Sequence, residues 1–322
     1  MATTCCHKKV LIDDVAGWIK IYNDGSVERP APPTEAHQLA AAIALYDVPR
    51  NGVTVHDIQA DPPLRLYLPA VAPLASRRLP VLLHFHASVF CISDPTWAMY
   101  HSFYARLAAS IPVAGIVSIT LPLAPENPLP AAIAASYAAI DWLKSLARPV
   151  LPTEPVIEPT YDPINKLRDV ADLSRVFLIG DSFGANLVHQ VAAGFSSAEP
   201  GYWGPSGSPE PSCSTPGSPG TTRDHPYIWP VVGDVAALAV PPMLVSIATL
   251  DSLRDRQVEY CNAMQRTGKH VEVALSPGVD HIFYLKHGLA EPADEETAAR
   301  VAELIDVIGG FVSRRHGCVA RL

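Results

Sequence analysis

Gly180-Asp181-Ser182-Phe183-Gly184 places one serine between two glycines. The apolar run Val176-Phe177-Leu178-Ile179 comes directly before it, and a helical stretch, Asn186 to Ala193, comes directly after. A strand, a sharp turn and a helix in that order lift the central side chain clear of a sheet, and the glycines let strand and helix approach closely. A serine so placed can attack a carbonyl. Its hydroxyl is a weak nucleophile at neutral pH, so it needs a base, and the base needs an acid to orient it. Asp251 follows the apolar segment Met243 to Ala248, and His281 follows Val271 to Leu275 in Pro277-Gly278-Val279-Asp280-His281. Ser182, Asp251 and His281 are therefore the candidate catalytic residues, and acyl transfer is the chemistry they suit. Asp255 is the rival acid, one helical turn further on. Asp251 also reads as the cap of a helix starting near Leu253-Arg254, and His281 as a loop residue among twelve histidines.

Strands must carry these residues, and the chain supplies them. Leu79 to Phe85 and Val113 to Thr120 are near-continuous apolar runs, which suit strands buried on both faces of a parallel sheet. Trp97 to Ser110 and Ala131 to Ala147 read as helices, the second introduced by Leu129-Pro130. Arg254 to Arg266 is a further helix. Val301, Leu304, Ile305, Ile308, Phe311 and Val312 mark one face of a C-terminal helix. Earlier in the chain, Trp18 to Arg29 reads as a hairpin turning at Asn23-Asp24-Gly25. Val53 to Ile58 and Leu64 to Leu68 are two more strands. Strands alternating with helices predict an α/β fold with crossover connections and a mostly parallel central sheet flanked by helices.

Bulk properties narrow the function. Hydrophobic residues are 48% of the 322 and charged residues 17%, enough for a large core in one domain spanning 1–322. A net charge of −8 without basic runs argues against nucleic acid. Six scattered cysteines form no C-x-x-C pair, so neither zinc nor a disulfide framework is expected. Met1 to Val10 has no apolar signal region, and no stretch approaches a membrane span. A cytoplasmic location, no membrane contact and no cofactor are the expectation.

Several stretches together resemble a known family. They are Gly17-Trp18-Ile19-Lys20-Ile21-Tyr22 with Asp24 to Pro30, Leu123-Ala124-Pro125-Glu126 with Leu129 to Ala132, the elbow with Gly184-Ala185-Asn186 and His189, Asp251-Ser252-Leu253-Arg254-Asp255, and His281-Ile282-Phe283-Tyr284-Leu285. In these the chain is similar to the plant carboxylesterases of the hormone-sensitive-lipase-like branch of α/β-hydrolases, which also includes the gibberellin receptor. The resemblance implies an α/β-hydrolase fold, a small-molecule ester as substrate, and a triad of Ser182, Asp251 and His281. It implies that backbone N–H groups near Ala87, Ser88 and Phe183 hold the oxyanion. The receptor lacks the triad histidine; this chain keeps it, which favours an enzyme. Glu126 is expected to brace the active-site side of the sheet through hydrogen bonds, His86 to play a structural part in the oxyanion loop, and Cys91 to pack as a small apolar residue.

Three departures from the family bear on activity. His86-Ala87-Ser88-Val89-Phe90 stands where the family has H-G-G-G-F. Glycines there allow left-handed backbone that a β-branched residue resists, so the loop either stores about 1–3 kcal/mol of strain or relaxes and withdraws a donor. Phe183 replaces a small residue beside the nucleophile and narrows the acyl site. Residues 195–230 are irregular, with eight prolines from Pro200 to Pro230, where the family has a buried strand and cap helices. Val231 to Val240 is a poor substitute, broken by Gly233-Asp234. Flanking strands that closed the gap would carry Asp251 and His281 about 4.8 Å from register with Ser182; flanking strands that did not would leave an unpaired edge inside the sheet. The alternative to an esterase is a catalytically impaired paralogue or a ligand-binding relative. A lyase or cyclase is a third reading, for which no residue speaks.

Overall fold

The computed structural model describes residues 8–70, 78–87, 89–148, 162–197, 227–232, 235–289 and 294–315. Three short antiparallel strands come first: β1 (Leu11–Val15), β2 (Ile19–Tyr22) and β3 (Val27–Glu28). The β2–β3 hairpin is the one expected, with Gly25 at φ +79° in its turn. One helical turn, α1 (His37–Ala40), leads to β4 (Tyr46–Arg50), β5 (Val53–Ile58), β6 (Leu64–Pro69) and β7 (Leu79–Phe85). Then come α2 (Ala98–Ser110), β8 (Gly115–Ile119), α3 (Ala131–Leu146), α4 (Pro163–Val170), β9 (Ala171–Gly180) and α5 (Phe183–Ser197). The chain closes with β10 (Met243–Ala248), α6 (Arg254–Arg266), β11 (Val271–Ser276), α7 (Phe283–Lys286) and α8 (Glu295–Arg314).

The main sheet runs β4-β5-β6-β8-β7-β9. Its β8-β7-β9 side is parallel, and its β4-β5-β6-β8 side antiparallel. The sheet is thus mixed, and parallel where it carries Ser182. Helices cover both faces, which is why β7 and β8 are apolar except at His84 and Ser118. Leu82 joins Ile116, Phe177, Tyr104 and Leu107 on the α2 and α8 side. Its neighbours Val81, Leu83 and Phe85 join Val117, Leu187 and Val191 on the α3 and α5 side. Each such side chain contributes about 1.5–3 kcal/mol on burial.

Among the described residues no ladder joins β9 to β10. β10 pairs only with β11, in parallel, from Met243↔Val271 to Ala248↔Ser276. Among the described residues the gap anticipated between the strand of Ser182 and the strand leading to Asp251 is not bridged by any ladder, and its flanks do not pair with each other. Leu178 to Gly180 and Met243 to Ser246 are consequently only half-buried, whereas the whole of β8 is buried. Helix α5 runs through Ser197, three residues into the segment expected to be irregular. Residues 198–226 lie outside the described residues. Beyond them Pro230–Val232 forms a single 3₁₀ turn rather than a strand.

Helices span the gap instead. On one face α8 reaches both pieces. Phe311 meets Phe177 of β9 with ring centroids 6.3 Å apart, and Arg175 donates to the carbonyl of Val312 at 3.0 Å. Arg314 pairs with Glu272 of β11 at 2.8 Å. On the other face His189 of α5 and Tyr260 of α6 bond at 2.9 Å. No described helix is long and apolar enough to cross a membrane.

Candidate active site

The elbow forms because two positions accept nothing larger than hydrogen. A Cβ on Gly184 would land on the carbonyl of Phe85, and one on Gly180 would land on the backbone of Gly184. With both as glycine the first turn of α5 docks against the end of β7. Ser182 itself takes φ +52°, the strained conformation that aims its hydroxyl off the sheet.

Across the gap, His281 Nε2 lies 3.0 Å from Ser182 Oγ, and His281 Nδ1 lies 2.8 Å from Asp251 Oδ2. The carboxylate only accepts, so Nδ1 carries the proton and Nε2 presents its lone pair to the serine. Asp251 is buried and accepts two more bonds, from Leu253 N–H at 2.8 Å and Gln257 Nε2 at 2.9 Å. Burial pushes its carboxyl up, but the bonds from His281, Leu253 and Gln257 outweigh that and hold it below its ordinary value. It stays ionised and ready to stabilise an imidazolium. The rival Asp255 is exposed and paired with Arg254 at 2.9 Å, out of the constellation. The capping role weighed for Asp251 is also real, through Leu253 N–H.

The fold matches what comparison with known proteins finds. A family model described as the alpha/beta hydrolase fold matches residues 82–207 and 213–285, more than half of the chain. The chain belongs to the α/β-hydrolase family. It is 31% identical to "Probable carboxylesterase 6" of Arabidopsis thaliana over 85% of each chain, so this α/β-hydrolase is carboxylesterase-like, with relatives in plants. It is also 29% identical to a 2-hydroxyisoflavanone dehydratase of Glycyrrhiza echinata, over 94% of this chain and 99% of that one. Among solved structures it resembles a thermostable esterase from Pseudomonas putida with TM-score 0.58 and 21% identity, covering 82% of this chain and 83% of that one. That likeness concerns the fold.

Around the triad, the hydrolase holds the elbow by a buried network that sequence reading missed. Asp181 accepts from His84 Nε2 at 2.7 Å, Tyr104 at 2.9 Å and Tyr284 at 2.6 Å, and His84 Nδ1 meets Ser118 Oγ at 2.7 Å. Burial and the facing carboxylate drive both tyrosine hydroxyls well above their ordinary range, so they remain donors. The signal was available: an acidic residue inside the elbow must be satisfied if buried. What could not be read was which donors, since they come from β7, α2 and α7.

The oxyanion region is described in part. Ala87 lies in the loop just after β7, its carbonyl held by Tyr100 at 2.6 Å and by Ser93. Ser88 lies outside the described residues. Phe183 opens α5, where a first-turn N–H has no intrahelical acceptor and is free for an anion. Its ring packs edge-on against Phe90 at 4.9 Å. His86 is structural as expected: its Nδ1 meets Ser93 Oγ at 2.9 Å. Glu126 binds through both oxygens to Arg29, at 2.9 and 2.6 Å, and Arg29 also reaches the carbonyls of Cys91 and Ala124. The brace thus ties the N-terminal segment to the loops after β7 and β8 rather than supporting the sheet. Cys91 is half-buried, and burial pushes its thiol up, away from the thiolate a nucleophile needs.

Of the two outcomes expected for the loop, the structure takes the strained one. Val89 and Phe90 hold φ of +46° and +59°. Val89 is more than half exposed, so its side chain gains little from packing. Val89→Gly is therefore expected to raise the melting temperature by about 1–3 °C, strain relief exceeding the entropy of the added glycine. Calorimetry checks this, and a lower melting temperature would show that Val89 is not strained.

Two buried imidazoles give a pH signature. Burial pushes His86 and His189 each down to about 4. In the unfolded chain they take a proton near 6.5, so the unfolded state binds more protons between those values. Stability is complete above about pH 6.5 and lost as pH falls toward 4, by on the order of 2 kcal/mol per histidine at pH 4.5. Melts at pH 7 and 4.5 measure the loss, and His189→Gln should shrink it; an unchanged drop in that variant counts against a buried neutral His189.

Proposed function

We propose that this hydrolase is a serine carboxylesterase acting on small uncharged carboxylic esters. The observation that carries the reading is the unbroken chain from Ser182 Oγ through His281 to Asp251, at 3.0 and 2.8 Å. Ser182 attacks the ester carbonyl while His281 Nε2 takes its proton, and Asp251 stabilises the resulting imidazolium. The tetrahedral oxyanion is received by backbone N–H groups, with Phe183 and Ala87 the described candidates. Collapse expels the alcohol, which takes the proton from His281. Water, activated by the same histidine, then releases the acid from the acyl-serine.

Turnover of p-nitrophenyl butyrate tests the proposal. Expected is hydrolysis above buffer that disappears when a fluorophosphonate modifies Ser182 stoichiometrically, as located by peptide mass spectrometry. Turnover that survives full modification of Ser182, or no turnover at all, rejects it. The second case would favour the impaired or ligand-binding reading that the strained loop motivates. The kinship with a protein named a dehydratase keeps elimination in view. Product analysis separates it, since hydrolysis must yield acid and alcohol in equal amounts.

A further inference from the structure

The cavity at Ser182 does not end at the triad. It encloses about 430 Å³, a usual size for a small-ligand site, and runs down between β9 and β10, which no ladder joins among the described residues. A separate hollow of about 600 Å³ beside α2 and β4 contains none of the triad. Below the serine, the slot is walled by Phe177 and Ile179 of β9 and Leu244 of β10, with Ile308 and Phe311 of α8 opposite. All of these are hydrocarbon. A neighbouring strand would cover part of this surface; among the described residues none pairs with β9 or β10 on the facing edges. On the α5 side the polar lining is already committed: His189, kept neutral by burial, bonds Tyr260, which also reaches Met243 Sδ at 3.4 Å. Of the charged lining groups, Asp181 and Asp251 are fully bonded, and Arg256 lies over the ring of Trp229.

We propose that this slot receives a linear hydrocarbon chain of the ester, the carbonyl resting at Ser182 and the tail lying between β9 and β10 on the α8 side. The inference rests on the ester-hydrolase reading. The side matters physically. Unpaired N–H and C=O groups of the two strand edges lie in the plane of the sheet, whereas side chains stand out from it. A tail on the α8 side covers the half-buried Ile179, Leu244 and Ile308 against the floor made by Phe177 and Phe311, and leaves the strand edges hydrated, avoiding the cost of stripping water from unpaired backbone.

The test uses the full chain and two substrate series held below their micelle concentrations: p-nitrophenyl acetate, butyrate, hexanoate and octanoate, and the acetates of ethanol, butanol, hexanol and octanol in a pH-stat. Expected is a rise in kcat/KM of about fourfold per methylene, the transfer value of a buried CH₂, in one series. That series identifies whether the tail is on the acyl or the alcohol side. Ile308→Trp, which fills the slot, should lower the octyl-to-shortest ratio by at least tenfold. Read within one preparation, that ratio is independent of the folded fraction. Hydrolysis of the short esters with flat or falling profiles in both series overturns the slot and leaves the esterase standing. No hydrolysis in either series overturns the esterase reading and this inference with it. The wild-type profile alone decides between these outcomes, should the tryptophan variant not fold.

Discussion

Ser182→Ala should lower kcat for p-nitrophenyl butyrate by about 10⁵–10⁶-fold, and His281→Ala by a similar factor. The double variant should lose no more than either single one, because nucleophile and base act as one unit across a 3.0 Å hydrogen bond. The alanine keeps a Cβ at the same φ of +52° and the residue lies at the surface of the cavity, so the melting temperature should change little. Steady-state kinetics with a thermal melt on each variant checks both parts. A Ser182→Ala protein that kept a tenth of the activity would place the nucleophile elsewhere. Additive losses would show that His281 serves something other than Ser182.

Asp251→Asn should cost about 10⁴-fold in kcat with little change in KM, and the reason lies in the donors around it. Leu253 N–H, Gln257 Nε2 and His281 Nδ1 all point at this carboxylate. An asparagine keeps one acceptor oxygen, which Leu253 N–H claims, and turns an NH₂ toward His281. Gln257 can answer by rotating its amide, because its Oε1 is buried and has no other partner among the described residues. The imidazole must then accept at Nδ1 and carry its proton on Nε2, facing Ser182. In that tautomer it cannot take the serine proton. Kinetics gives the magnitude, and the imidazole nitrogen shifts in an NMR spectrum give the tautomer. Loss of activity with Nε2 still unprotonated would reject this account and leave Asp251 with only its cap to explain.

How much was legible depends on the element. The bounds of β10 and α6 coincide with the apolar and helical segments read from sequence, because Pro241-Pro242 and Thr267-Gly268 fence them. β9 begins five residues before its apolar run: Asp172, Ser174 and Arg175 hide a strand that pairs back to Leu79 past an irregularity. β1 was invisible behind Asp13-Asp14, and β4 behind Pro49, which an edge strand tolerates. α4 carried an unread start signal, Asp162 capping Ile164 N–H with Pro163 in the first turn. The proposed nucleophile, acid and base could be ordered along the chain because each follows a strand end. Whether a gap beside β9 would pull them apart could not be read, since the answer rests on contacts from α8 to both sheets, 137 residues apart in the chain for Arg175 and Val312 and 42 for Glu272 and Arg314.

The divided sheet puts the proposed nucleophile and its proposed base on different pieces. Ser182 belongs to the six-stranded piece, Asp251 and His281 to the two-stranded one, and among the described residues side-chain packing and a few hydrogen bonds, with no ladder, hold the two together. A continuous ladder would make them melt as one. Here the smaller piece can detach while the larger stays folded, as locally stable segments of proteins do. Heating should therefore extinguish catalysis several degrees before the far-ultraviolet signal falls, with amides of β10 and β11 exchanging ahead of those of β7 and β8. The temperature at which this protein works would then be set by how firmly α8 clasps two sheets, more than by the stability of either.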